Sequence, residues 1–379
     1  MSYLDYQVAH VPTGIRKILY LNWPLVFLLT AVSCIGFLML YSVAGGDGSR
    51  WAEPQMYRFA IGMVAMIGLA FVPIWFWRGI SVIAYVTCLL LLVAVDMFGF
   101  VGMGAQRWIE IGPIRLQPSE LMKIAMVLVL AAYYDWLDLR RVSRPFWVLV
   151  PLALIMAPVG LILAQPDLGT SVMLVAGGGI MMFAAGVSLW YFAAVIGATV
   201  ALVVLVMNSR GTEWQLLRDY QFRRIDTFLD PSADPLGAGY NVMQSQIALG
   251  SGGWSGRGFM QGTQSRLNFL PEKHTDFIFT VLAEEFGFIG AFSLLVLYLL
   301  ILGFCLYSAL TNRDRFASLM TIGIAGTFFL YFAINIGTVM GMLPAKGSPL
   351  PLVSYGGTAM IILLLGFGMV QSAHVHRPR

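Results

Sequence analysis

Charge is scarce in this chain. Asp, Glu, Lys and Arg make up 11% of its 379 residues, against about 25% in soluble domains. Hydrophobic residues reach 59%, so the length cannot be divided into soluble domains. Histidine is equally sparse, and the three cysteines, Cys34, Cys88 and Cys305, each sit inside an apolar run. No disulfide framework and no zinc-type Cys/His spacing follows from them. The net charge of +4 is dispersed rather than striped, which argues against a nucleic-acid partner. The Gly-rich SGGWSGRG at 251–258 lacks the Lys-Ser/Thr of a phosphate loop, and neither a serine nucleophile elbow nor HExxH is present. Energy from a cytosolic nucleotide is therefore not indicated, and an outward-facing enzyme here needs an activated substrate delivered through the membrane.

What the chain has is apolar runs. A helix needs about 20 apolar residues to cross a bilayer. Ten runs qualify, at roughly 24–43, 58–77, 79–98, 117–134, 146–164, 168–186, 189–207, 278–308, 318–341 and 356–373. Only Arg78 separates the second from the third. The pattern predicts an all-α integral membrane protein of about ten transmembrane helices, forming one polytopic domain over 1–379. The first run is too long for the core of a signal peptide and reads as a retained anchor. Short loops on one side carry Arg16, Lys17, Arg78, Arg140, Arg141, Arg144, Arg313, Arg315, Arg377 and Arg379; those on the other carry Arg50, Arg58, Arg107, Arg115 and Lys346. The richer side is expected to be cytoplasmic. That puts both termini inside.

Between the seventh and eighth runs lies a polar insert, 208–275, expected to be a large structured periplasmic loop of the same domain. Thr212 with Gln215 reads as a capping box. Trp214, Leu217, Ile225 and Phe228, interleaved with Arg218, Arg223 and Arg224, read as an amphipathic helix in the interface. DPSADPLG at 230–237 stops it, and Tyr240 to Leu249 forms a second amphipathic stretch.

The insert ends in PEKHTDF, with Asp276 at the mouth of the next apolar run. Two readings stand. Partial burial raises a carboxylate's pKa and makes it a general base at the membrane edge; alternatively Asp276, beside His274 and Thr275, caps the helix. Glu120 and Lys123 share one helix face at i,i+3, as a structural ion pair or beside a polar cavity. Asp167 in AQPDLGT is turn chemistry or a second outward carboxylate able to hold a cation or a sugar hydroxyl; Asp276 and Asp167 are the candidates for a metal. Outward bases Arg107, Arg115, Arg210, Arg223, Arg224, Arg257, Arg266, Lys273 and Lys346 either grip phosphate oxygens or snorkel to headgroups. Glu284 and Glu285 are given at most a supporting part.

The blocks GAQRWIEIGPIRLQPSELMKIA (104–125), AQPDLGTS (164–171), 234–287 with HTDFIF, and GMLPAKGSPLPLVSYGG (341–357) closely resemble the SEDS family (shape, elongation, division and sporulation), from the first span to the last. GTQSRLNFLPE resembles its rod-shape elongation branch; Lys346 in MLPAKG also resembles its division branch. The resemblance implies a peptidoglycan glycosyltransferase of the bacterial inner membrane. It implies lipid II and a growing lipid-linked glycan as substrates, and a class B penicillin-binding protein plus other elongation-complex membrane proteins as partners. It assigns the essential aspartate to Asp276, and matches Glu120, Lys123 and Asp167 to family positions. Charge on the departing pyrophosphate is expected to be neutralised by arginines or a divalent cation (Mg or Mn), with no nucleotide. Two other readings remain open at this point: a lipid II flippase, and a non-catalytic scaffold of the wall-synthesis complex.

Overall fold

The computed structural model describes residues 14–102, 105–111, 114–165, 167–212, 214–216, 222, 226, 239–266, 272–343 and 348–377. Its long helices are α1 (Trp23–Val43), α2 (Ala52–Ala70), α3 (Ile74–Phe98), α4 (Pro118–Trp136), α5 (Pro145–Ala164), α6 (Leu168–Ala184) and α7 (Leu189–Asn208). Within the insert come α8 (Tyr240–Ser251) and the single turn α9 (Thr263–Arg266); α10 (Ile278–Leu310), α11 (Arg315–Val339) and α12 (Gly357–Val375) follow. Nine of the ten expected runs each overlap one long helix, and the run at 58–77 spans the end of α2 and the start of α3. Seven of these are long and apolar enough to cross a membrane: α1, α3, α5, α7, α10, α11 and α12. α6 is shorter, at 17 residues, and polar residues interrupt α2 and α4, the latter with Glu120, Lys123 and Asp135.

Local chemistry sets the helix ends. Asn22 caps α1 through its side chain, with Pro24 in the first turn. Asp314 does the same for α11. The expected join at Arg78 is corrected: the chain breaks at 71–73, and Arg78 lies inside α3. Pro73 is the cause, since it has no N–H to continue a helix and pushes the preceding residue out of helical geometry. The freed Arg78 side chain pairs with Asp135 at 3.1 Å and Asp314 at 3.0 Å, tying α3, α4 and α11 together at one end of the bundle.

The all-α expectation holds for the fold, with one local addition. Phe100–Gly102, Ala105–Ile111 and Ile114–Leu116 form a small antiparallel sheet, β1-β2-β3, between α3 and α4. Its β-branched Ile109, Ile111 and Ile114 flank a Gly-Pro step, a hairpin signal. In the insert, Gln215 does not complete a capping box: its side-chain oxygen accepts from the Gly211 N–H, 3.1 Å away. Leu217, Arg218, Arg223, Arg224, Ile225 and Phe228, the body of the expected interfacial helix, lie outside the described residues. α8 forms as expected and buries Val242, Ser245 and Ala248 against α10 and α11.

α7 buries none of its residues. A helix that is apolar all round yet unburied by protein is a lipid-facing one. At the other extreme, α11 packs on α4, α6, α10 and α12, and its Phe328 and Phe332 close around Tyr298 of α10.

α10 is not the uninterrupted span its hydropathy suggests. At Gly287 the backbone turns to φ 66°, ψ −161°. A broken helix inside a membrane leaves backbone groups that must find partners within the protein. The loop 253–258 supplies them. Phe288 and Ile289 N–H donate to the carbonyls of Gly253 (2.9 Å) and Trp254 (3.2 Å), while Arg257 and Gly258 N–H donate to those of Glu284 and Glu285, each at 3.0 Å. The approach is so close that a Cβ on Gly287 would lie 2.3 Å from the Gly256 nitrogen. Gly287→Ala is therefore expected to add backbone strain of about 1–3 kcal/mol to a steric clash, lowering the thermal unfolding midpoint in detergent, whereas Gly303→Ala, with open space around it, leaves it in place.

Candidate active site

PEKHTDF delivers Asp276 from the loop to α10. Thr275 and Asp276 N–H both turn back onto the Glu272 carbonyl, at 3.1 and 3.2 Å. The residue preceding α10 is Phe277, and no side chain caps this helix. The capping reading of Asp276 is thereby removed. Its carboxylate is half-buried and meets no hydrogen-bond donor among the described residues. Desolvation, with the neighbouring Glu272 charge, pushes its pKa from 3.8 up to about 7.

The main chain around it is held firmly. The carbonyls of His274, Thr275 and Asp276 accept in turn from Tyr355 N–H (2.9 Å), the Ser354 hydroxyl and Asn335 Nδ2 (2.8 Å). The His274 ring stacks on Trp51 at 4.5 Å. Burial lowers the pKa of His274, and the Arg50 and Lys273 charges add to this against the opposing pull of Glu272. Burial, then Arg50, lowers Lys273 too. Arg50 also covers Trp51, and Arg58 covers Tyr355 at 4.7 Å. Arg50, Trp51, Arg58 and Tyr355 were not singled out by sequence reasoning. Arg50 and Arg58 entered only the topology count, and no spacing rule joins positions 50–58 to 274–276.

Glu120 and Lys123 form a buried pair at 2.6 Å. Tyr331 of α11 completes it, accepting from Lys123 and donating to Glu120. Tyr331 was the missed member, because an i,i+3 pattern on α4 says nothing about α11. The trio lines a small cavity of about 20 Å³ with Ile124, Val127, Thr327 and Leu363. A second cavity of about 20 Å³ shares Tyr331 and Leu363 and reaches Pro349 and Ser354, the residue whose hydroxyl grips the Thr275 carbonyl. Tyr331 thus borders both small cavities, one beside the polar trio and one beside the segment that anchors Thr275.

Asp167 caps α6, accepting from Thr170 N–H (3.1 Å) and its hydroxyl (2.9 Å). It lies within electrostatic reach of Tyr331. Arg107 approaches its carboxylate at 3.8 Å and donates to the Gln165 carbonyl. Arg257 is not brought to Asp276: its exposed side chain bonds the Ser251 carbonyl at 3.3 Å. Arg223, Arg224 and Lys346 lie outside the described residues. Glu284 and Glu285 are fully buried rather than interfacial; Glu284 holds Thr263 and the Gln264 N–H, and Glu285 accepts from Ser42. Among the described residues no three metal-ligating side chains gather.

The FtsW/RodA/SpoVE family, described as "Cell cycle protein", matches residues 22–379. The chain is 43% identical over 360 residues to peptidoglycan glycosyltransferase MrdB of Escherichia coli strain K12, covering 94% of each. It is 34% identical over 357 residues to stage V sporulation protein E of Bacillus subtilis, covering 91% of this chain and 94% of that one. Among solved structures, one from work on how a peptidoglycan synthase complex coordinates polymerization and crosslinking superposes with a TM-score of 0.80 at 32% identity, covering 93% of this chain and 97% of that one. The rod shape determining protein RodA of Thermus thermophilus gives 0.71 at 29%, covering 95% and 98%.

The buried trio makes a direct prediction. Lys123→Met strands a carboxylate in the core, at a cost of roughly 3–5 kcal/mol, while the double change Glu120→Gln with Lys123→Met recovers most of it. Thermal unfolding of the three proteins in detergent measures both.

Proposed function

The chain belongs to the FtsW/RodA/SpoVE family, that is, the SEDS proteins, and from that footing we infer that it polymerises lipid II into glycan strands with Asp276 as general base. It is a peptidoglycan glycosyltransferase of the kind that serves cell shape. The observation that carries the base assignment is the Asp276 carboxylate: half-buried, without a donor among the described residues, and poised near neutral pH. Such a group is ionised often enough to act and basic enough to accept a proton.

In the proposed step Asp276 takes the proton from the 4-hydroxyl of the acceptor's terminal N-acetylglucosamine. The oxygen attacks the anomeric carbon of the N-acetylmuramic acid at the lipid end of the growing chain. The carbon–oxygen bond to pyrophosphate breaks, undecaprenyl pyrophosphate leaves with its electron pair, and the configuration inverts. Pyrophosphate needs charge neutralisation more than protonation, so one carboxylate suffices. Arg50, Arg58 and Lys273 cluster beside His274 and suit that task. A divalent cation, Mg or Mn, would be carried mainly by the substrate's own oxygens with one or two carboxylates. The described residues do not fit a closed protein cage, since Asp167 is occupied by Thr170 and Asp276 has only Glu272 beside it.

The membrane arrangement in this reading has ten spans, cytoplasmic termini, and Asp276 on the periplasmic side. The alternation of the helix ends supports it. Arg78, Asp135 and Asp314 meet at one end, while Gln55 bonds the Ser354 carbonyl beside the Asp276 segment at the other. The transpeptidase partner, a class B penicillin-binding protein, is supported by the likeness to a peptidoglycan synthase complex.

The test is polymerisation of lipid II by the purified full chain. The rate, expressed as kcat/KM, is expected to rise with pH through about 7 and then level off, because protonated Asp276 cannot accept a proton. Asp276→Asn should lose roughly 10²–10⁴-fold in rate. An unchanged rate in that variant refutes the base assignment; leaflet exchange of lipid II without polymer would favour a flippase.

A further inference from the structure

Asn335 sits on the central helix α11 and is 2% exposed. Its side-chain nitrogen donates to two carbonyls, Asp276 at 2.8 Å and Ser348 at 2.6 Å. Because both partners are acceptors, the amide's orientation is fixed by chemistry: only the NH2 end can face them. Its oxygen finds no donor. A buried amide with an orphan acceptor is costly, and an apolar residue of similar shape would suit a helix among Tyr331, Phe332 and Ile336 better.

Its two targets explain the placement. Residues 272–277 form turns and 348–355 have no helix ladder, and the carbonyls of Asp276 and Ser348 are taken by Asn335 rather than by their own segments. Of the three groups that fix carbonyls 274–276, Tyr355 and Ser354 belong to the 348–355 segment, which Asn335 itself secures through Ser348. Among the described residues, Asn335 is the one core-helix side chain that bonds a carbonyl of the 274–276 stretch. One turn earlier, at i−4, Tyr331 carries the Glu120–Lys123 pair. A single helix face therefore registers both the polar trio and the Asp276 segment.

We propose that Asn335 is a positioning residue for glycosyl transfer, pinning the main chain at Asp276 and the 348–355 segment to α11 so that the Asp276 carboxylate keeps one position. The assignment rests on Asp276 being the base. Asn335 touches no reacting atom and acts only through that residue. Its loss should lower turnover rather than substrate binding, since misplacing a catalytic group by about 1 Å costs on the order of 100-fold.

The test uses the full-length protein in two readouts. In lipid II polymerisation, Asn335→Leu is expected to drop kcat roughly 100-fold with KM little changed, and to move the acid limb of the pH profile away from its wild-type position. Asn335→Gln, which keeps the NH2 donor, should recover part of the loss, and also serves should the leucine variant fail to fold. In hydrogen exchange, Asn335→Leu should speed exchange in 272–277 and 348–355 while leaving α4 protected. Wild-type kcat with an unmoved pH profile, or an effect on KM alone, overturns the proposal, as does unchanged exchange in the two segments. Failure of the base assignment reads differently: Asp276→Asn then stays active, and the exchange pattern still decides the tether.

Discussion

Polar groups removed from water need partners, and that constraint organises this molecule. Glu120 is neutralised by Lys123 and Tyr331 across two helices. The backbone freed by the break at Gly287 is paired by the 253–258 loop. Glu284 and Glu285 hold the chain that follows that loop and the end of α1. Against this background the Asp276 carboxylate stands out as a half-buried acid with no donor among the described residues. Its desolvation is tolerated because its backbone is anchored at three consecutive carbonyls. The fold thus stabilises a group that its own environment disfavours, and the proposed base would draw its basicity from that environment.

The parts of the site act through shared elements. α11 presents Tyr331 to α4 and Asn335 to the Asp276 segment, and Tyr331 borders both small cavities. The break in α10 separates a short buried piece, carrying Glu284 and Glu285 just beyond Asp276, from the long span that follows. The loop that fills the break binds the insert to that short piece. The described part of the insert, the helix start and the Asp276 segment are consequently packed together.

Much of this was legible in the sequence. Runs of about twenty apolar residues gave the helical membrane architecture, since hydropathy needs no tertiary information; seven of the helices are long and apolar enough to span. Asp276 drew attention because a carboxylate at the edge of an apolar run is an exception that asks for a reason. The misses share a cause. Pro73 was read as part of an apolar run although its geometry ends one, and Gly287 was invisible to hydropathy because the break costs backbone pairing, not hydrophobicity. Tyr331, Asn335, Arg50 and Trp51 lie far along the chain from the residues they serve, and periodicity cannot report such contacts. Asp167, left between turn chemistry and a second carboxylate site, caps α6 in the structure.

The central claim is the state of one carboxyl group, and it can be observed without catalysis. Carbon-13 NMR of aspartate-labelled protein, with the Asp276 resonance assigned by its absence in Asp276→Asn, follows that group's titration directly. The account predicts a midpoint near 7, where burial and Glu272 place it. A midpoint close to 4, the ordinary carboxylate range, would mean the group is solvated like any surface acid and would contradict the account.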